Sequence, residues 1–373
     1  MLFLFILIVL VALVLQSYSL RNASDHRKIR YECKPSVRCC EPGEEFTVYS
    51  TVKNLGRRST PLLRIEEHFP IVLEVLEAEQ FNIKIYLNNF RIYRSAVVVR
   101  GRQQVTRYLR ASILQRGEYT FANADFWAGD YLGLKEFYYK MSNDQKIVIY
   151  PPLIEDEAFL RAFVNSLEDI ARERQLLEDP MSVCGYLDYT GREPMRNISW
   201  KQSAVRNSLV VKQFDPAWRE SVCIVLDMEY HGEFDLHYAR QDICFSIART
   251  VCDNLERRNI SYRLITNAII TNTISSFSSP GGMGAAYNKI LYALGAAKNG
   301  EVCSAAELIT TVCSGANRQR FIIFISTREC EESYAAIQRA KTLTGGKIYP
   351  LYADTLLPTP PEEHKDEEGG LDA

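Results

Sequence analysis

The sequence predicts an N-terminal membrane helix, an immunoglobulin-like β-sandwich and then an α/β domain on a mainly parallel sheet. Three observations predict this order. Met1 to Leu15 is an uninterrupted apolar run. From Phe46 to about Tyr150 the apolar residues alternate at strand spacing between turn residues. After Pro216 they regroup into short apolar strands, each followed by residues at helical spacing. With 373 residues, 47% hydrophobic and 24% charged, the chain has globular composition and room for about two domains.

Gln16 to Leu20 extends the N-terminal run weakly, so residues 1–20 fall at the lower limit of the roughly 20 apolar residues a spanning helix needs. No basic residue precedes the run, whereas Arg21, Arg27, Lys28 and Arg30 follow it. A signal-anchor carries its charge in this way, and the positive-inside tendency then places the rest of the chain in the cytoplasm. The expectation is a single-pass protein of the cell membrane, with a cleaved signal peptide as the alternative. Ten cysteines are scattered from Cys33 to Cys330, some inside apolar runs such as Val222-Cys223-Ile224, with no C-x-x-C pair. They read as buried thiols in a reducing compartment.

Residues 31–150 are the expected sandwich, with Phe46, Val48 and Val52 alternating and Arg116-Gly117 and Ala128-Gly129-Asp130 as punctuation. Residues 151–216 begin at Pro151-Pro152 with a connecting helix over Glu155 to Glu178, spaced by Phe159, Phe163, Leu167 and Ile170. Residues 217–355 form the α/β domain. Its first strand is Val222 to Asp227, and Leu236, Ile243, Ile247, Val251 and Leu255 share a face of the following helix. Strands over Tyr262–Ile270, Phe321–Ser326 and Lys347–Tyr352 alternate with helices over Ala285–Ala297, Ala305–Val312 and Glu332–Leu343. Residues 356–373, rich in proline and acidic residues, read as a disordered tail.

Tyr189, Arg196, Ile198, Trp200, Lys201, Ser203, Ala204, Leu209 and Phe214 lie in an order that is similar to the signature of the bacterial domain of unknown function 58 family. Arg116-Gly117-Glu118-Tyr119 and Asp130 to Leu134 resemble a second element of that family. The chain departs from the pattern at Arg192-Glu193, where the family has glycine-aspartate, and at Val205, where it has arginine. The resemblance implies a membrane-associated protein with a von Willebrand factor type A-like, Rossmann-like domain. It also implies partners of the kind encoded beside the family, MoxR-type AAA+ ATPases and transglutaminase-like membrane proteins.

Metal-binding type A domains carry an aspartate-x-serine-x-serine loop after their first strand. Here that strand ends Asp227-Met228-Glu229-Tyr230-His231, without either serine. Asp227, Glu229 and His231 alternate in an extended segment and would share one side, which makes them candidate ligands for a divalent metal such as Zn²⁺ or Mn²⁺. The plainer reading is a hydrogen-bonded Asp227 and two solvated loop residues. The signature has two readings as well. Arg196, Lys201, Arg206 and Lys212 can build a partner- or phosphate-binding surface, or Trp200, Ile198, Leu209 and Phe214 can latch one domain to the next.

Gly281-Gly282-Met283-Gly284 reads as a helix entry rather than a phosphate loop. No G-x-S-x-G, H-E-x-x-H or P-loop sequence occurs, so no catalytic residue or cofactor is assigned. A net charge of -2 argues against nucleic acid as a partner. The function expected is a non-enzymatic, membrane-tethered scaffold or adaptor presenting its α/β domain to a protein. The alternative is a metal-dependent binding or adhesion module centred on Asp227.

Overall fold

In the computed structural model the chain is described except for residues 1, 24–27, 58, 77–81, 88–89, 122, 131–134, 162, 166–167, 169–182, 192, 215–221, 230–233, 314–320 and 357–373. The expected tail therefore lies almost wholly outside the described residues, as does most of the expected connecting helix.

Helix α1 (Leu2–Ala23) grows from a run without proline or glycine. Its side chains from Phe3 to Leu15 are exposed, and Gln16 is the first to be buried, donating to the Asp130 carboxylate. From Leu2 to Leu15 the helix rises about 20 Å, short of the roughly 30 Å hydrocarbon core of a bilayer. Among the described residues no helix is long and apolar enough to cross a membrane. The expected membrane helix over residues 1–20 is thereby corrected. So are the single-pass placement at the cell membrane and the cytoplasmic side assigned to the following domains, which rest on that helix.

Two compact units follow from the chain's contacts: Met1–Pro152 with Lys289–Lys298, and Leu153–Asn288 with Asn299–Ala373. Unit 1 runs β1 (Ile29–Pro35), β2 (Cys39–Cys40), β3 (Phe46–Asn54), β4 (Thr60–Pro70), β5 (Glu74–Val75) and β6 (Asn82–Leu87). It continues through β7 (Phe90–Val99), β8 (Gln104–Ser112), β9 (Gly117–Phe121), β10 (Ala124–Gly129), β11 (Glu136–Met141) and β12 (Gln145–Ile149). The sheet order is β1-β3-β8-β5, β11-β10-β4-β7-β6 and β2-β12-β9. Every ladder in it is antiparallel apart from the short β2–β12 pair.

Strict alternation builds the sandwich. In β3 the buried residues Phe46, Val48, Ser50, Val52 and Asn54 alternate with less buried ones. Ile29 and Val52 from one sheet meet Leu63, Ile65, Val99 and Phe126 from the next in one apolar core. A buried polar knot interrupts it. The Glu67 carboxylate accepts from the Tyr31 hydroxyl at 2.8 Å and from Ser50, and pairs with Arg107 at 3.1 Å. A buried carboxylate held this way has both a counter-ion and hydrogen-bond donors, which burial requires.

Unit 2 contains β13 (Val183–Asp188), α2 (Trp200–Arg206), β14 (Val210–Phe214), β15 (Val222–Leu226), α3 (Phe234–Arg257), β16 (Tyr262–Thr266) and β17 (Ala268–Ile269). Then come β18 (Ser275–Ser279), α4 (Ala285–Ala296) and β19 (Lys298–Glu301), of which Lys289–Lys298 group with unit 1, followed by α5 (Ala305–Cys313), β20 (Phe321–Ser326), α6 (Glu331–Thr344) and β21 (Lys347–Tyr352). One sheet runs β18-β16-β15-β20-β21. The ladders β15–β16, β15–β20 and β20–β21 are parallel, and β16–β18 is antiparallel. Cys223, Val225, Ile322 and Phe324 pack with Leu308 and Ile309 of α5 and with Ala336 and Ile337 of α6. Ile224, Leu226, Ile323 and Ile325, the alternate set, face the other way and are equally buried.

The expected fold class, led by a mainly parallel, von Willebrand type A-like or Rossmann-like sheet behind a membrane helix, is corrected. The chain is predominantly β-sandwich with several antiparallel sheets, and the parallel ladders among the described residues are those of one five-stranded sheet and the β2–β12 contact. The reason is the pairing of distant strands: residues 29–149 hold no described α-helix of the kind that carries a parallel crossover, and even strands far apart in the chain, β3 with β8 and β4 with β10, join antiparallel. Even within the five-stranded sheet, the short return from β16 brings β18 back antiparallel.

Candidate functional site

Two places in unit 2 hold the residues singled out in the sequence. The first is the end of β15. Asp227 extends that strand by one backbone bond, its N–H donating to the Ile325 carbonyl at 2.8 Å, and its side chain is fully buried. Its Oδ1 accepts from Asn267 Nδ2 at 2.8 Å and from the Glu229 N–H at 3.1 Å. Its Oδ2 accepts from the Ser326 hydroxyl at 3.2 Å. Asn267 also donates to the Cys303 carbonyl at 2.9 Å and accepts from the Met228 N–H at 2.8 Å, while Gln241 donates to the Met228 carbonyl at 2.8 Å.

Glu229 turns to a different partner. Its Oε2 accepts from the Ala305 N–H at 2.7 Å, which places a carboxylate on the first turn of α5, where free N–H groups and the helix dipole favour negative charge. Asp227 and Glu229 thus engage separate donors instead of converging, and His231 lies outside the described residues. Among the described residues no group of three or more His, Cys, Asp or Glu side chains is arranged to hold a metal ion. The N–H donors around Asp227 present positive partial charge, which opposes a cation at the same spot. Burial, and then the carboxylates of Glu307, Asp227 and Glu229, push the Cys303 thiol up from its usual pKa.

The glycine stretch is closed in the same manner. Gly281 and Gly282 have φ of +87° and +85°, and a Cβ at Gly281 would lie 2.9 Å from the Asn259 backbone. The Met283 N–H donates to buried Glu256 at 2.7 Å, and Glu256 also accepts from the hydroxyls of Tyr262 at 3.0 Å and Ser279 at 2.5 Å. The stretch's own N–H groups are therefore spent inside the chain, Met283 on the Glu256 carboxylate, Gly282 on the Glu256 carbonyl and Gly281 on the Ser279 hydroxyl.

The second place is the small module β13–α2–β14. Its two strands are antiparallel, with Leu187 opposite Val211 and Asp188 opposite Val210. Ile198 is buried and bridges Val211, and the Ser199 N–H donates to the Val210 carbonyl at 2.9 Å. Ser203 is the tie beneath the helix, since its hydroxyl accepts from the Val210 N–H at 2.9 Å. Asn207, with φ of 51°, ends α2 in the left-handed conformation that asparagine tolerates.

The Tyr189 N–H donates to the Leu209 carbonyl at 2.8 Å, and Trp200 opens α2 directly after Ser199, which is bonded to Val210. Trp200 is 65% exposed, Met195 68% and Val205 77%, and Leu187 and Leu209 are also exposed. Arg196, Lys201 and Arg206 are exposed among them, and Lys212 is half-buried on β14. Among the described residues none of these four makes an ion pair. The latch expected of Trp200 and Leu209 is thus not formed by burial. Ile198 alone of the expected apolar latch is buried, and the Phe214 side chain lies outside the described residues.

Sequence reasoning missed Asn267 and the exposure of Met195 and Val205. An asparagine inside the strand-like stretch Tyr262–Ile270 was the available signal for Asn267. Nothing local signals exposure of a tryptophan.

No family model matches the chain. No curated protein matches it. Among solved structures, a CARDB domain from Pyrococcus furiosus, determined in complex with di-metal ions, is similar at 14% identity over 32% of this chain and 86% of its own, with a TM-score of 0.22. A non-cellulosomal cohesin from Archaeoglobus fulgidus is similar at 15% identity over 36% of this chain and 97% of its own, with a TM-score of 0.23. The native E. coli alpha-2-macroglobulin matches at 16% identity over 33% of this chain but only 9% of its own, with a TM-score of 0.24. Likeness this slight carries no functional meaning.

Proposed function

We propose that this chain is a non-enzymatic protein-binding adaptor that docks its partner on the β13–α2–β14 module. The observation that carries the reading is the 65% exposure of Trp200 on a module whose Leu209 is also exposed. A large aromatic side chain left in water gains the most from burial against a partner, and tryptophan and arginine are the residues enriched at binding hot spots. Exposed Met195, Val205 and Leu187 widen the apolar area on the same module. The chain's resemblance to the domain of unknown function 58 family supports an AAA+ ATPase of the MoxR type as the first partner to examine.

Site-specific photo-crosslinking tests this. A photoreactive residue at position 200 is expected to give one discrete protein adduct in cells, whereas the same residue at Tyr334, which is 59% exposed on α6, gives none. Equal labelling at both positions, or no adduct at position 200, overturns the reading.

A further inference from the structure

The charges around Trp200 specify the chemistry of what docks there. We infer that the β13–α2–β14 surface takes an acidic amphipathic segment of a partner protein, a conclusion that rests on the adaptor reading and adds the partner's character to it. Arg196, Lys201, Arg206 and Lys212 face only two carboxylates within the described part of the module, Asp188 and Glu193. Glu193 is already engaged, accepting from the Thr190 N–H at 2.9 Å and from the Thr190 hydroxyl at 2.7 Å. The module is therefore cationic in a chain whose net charge is -2.

Cationic and apolar groups are interleaved rather than segregated. Lys201 and Val205 stand one helical turn apart on α2, so they share one side of it. Trp200 precedes Lys201 on α2, and the Ser199–Val210 bond ties the start of that helix to β14, next to Leu209 in sequence. An occupant that buries Trp200, Leu209 and Val205 must bring Arg196, Lys201 and Arg206 into the rim of the contact, and their charges call for carboxylates on the incoming chain. Single-stranded nucleic acid also meets cations and aromatic rings, but it needs planar faces for base stacking. Here Trp200 offers one such face, but exposed Met195, Val205, Leu187 and Leu209 around the module offer none, which favours a segment with aliphatic side chains.

The test is a fluorescence anisotropy titration of the full chain with four probes. They are a helical peptide with a leucine face and glutamate elsewhere, the same peptide with lysine for glutamate, an oligothymidylate, and vesicles of phosphatidylcholine with phosphatidylserine. The glutamate peptide is expected to bind, to weaken with added salt, and to lose about tenfold in affinity in Trp200→Ala and in the double variant Lys201→Glu with Arg206→Glu. Lys201→Gln with Arg206→Gln should lose less. Absent binding of the glutamate peptide, equal binding of the lysine peptide, or tighter binding of the oligonucleotide or vesicles overturns the inference. A discrete crosslink at position 200 without preference for the glutamate peptide removes the charge argument and leaves the adaptor reading intact. Failure of both removes both.

Discussion

The end of β15 and the β13–α2–β14 module are opposite answers to the placement of polar and aromatic residues. Around Asp227 each carboxylate oxygen accepts from a donor of the same chain, and the side chain is fully buried. Around Trp200 the aromatic ring is 65% exposed and the cations of the module lack ion pairs among the described residues. A site that satisfies its own groups has little left to offer a ligand, and one that leaves apolar area and charge unmet has binding energy in reserve. A cluster of carboxylates in a sequence is therefore not by itself a functional site, whereas an unburied tryptophan in a folded unit requires an explanation.

The contrast is broken most directly at Asp227. Asp227→Ala strands the Ser326 hydroxyl and one N–H of the Asn267 amide in the interior and frees the part-buried Glu229 N–H, and each orphaned buried donor costs about 1–3 kcal/mol, so a loss of about 3 kcal/mol is expected from denaturant unfolding. A variant as stable as the parent would show that this cluster is not the closed unit described.

Alkaline pH probes the closed interiors next. Burial, the largest cause in both, pushes the Cys33 and Cys252 thiols from the usual 9.0 up to about 12. In the unfolded chain these thiols ionise at the ordinary value. Their contribution is thus complete below about pH 9 and is lost as pH rises towards about 12, at about 1.4 kcal/mol per pH unit for each thiol. Denaturation midpoints measured across that range should fall, and the fall should shrink when Cys252 is replaced by alanine and the variant is compared with its own midpoint at neutral pH.

Trp200→Ala should change unfolding free energy by no more than about 0.5 kcal/mol, since the ring is mostly in water. A larger loss would mean that Trp200 supports the fold, and the two regions would no longer differ in kind. The smallest effect is expected from divalent metal. A site filled at 100 times its dissociation constant adds about 2.7 kcal/mol, and no rise in the thermal midpoint is expected with Mg²⁺, Mn²⁺ or Zn²⁺. A clear rise, reversed by Asp227→Asn, would reopen the cluster as a metal site.

Much of the local order was legible beforehand. Phe46, Val48 and Val52 announce β3, and Ile243, Ile247, Val251 and Leu255 announce the apolar side of α3, because side-chain period follows directly from backbone geometry. The glycines at 281 and 282 announce a turn, since positive φ favours them. The balance between parallel and antiparallel pairing was misjudged, because the sequence shows strands and link lengths but not which edge each strand joins.

Periodicity along the chain thus determined where strands, helices and turns begin, through sterics that act between near neighbours. Only the tertiary structure decided that Asp227 is satisfied by Asn267 and Ser326, which lie 40 and 99 positions away. It alone decided that Ser203 ties α2 to β14 while Trp200, three residues earlier, stands in solvent. Burial and hydrogen-bond satisfaction are sums over contacts between distant segments, so no spacing rule within one segment fixes them.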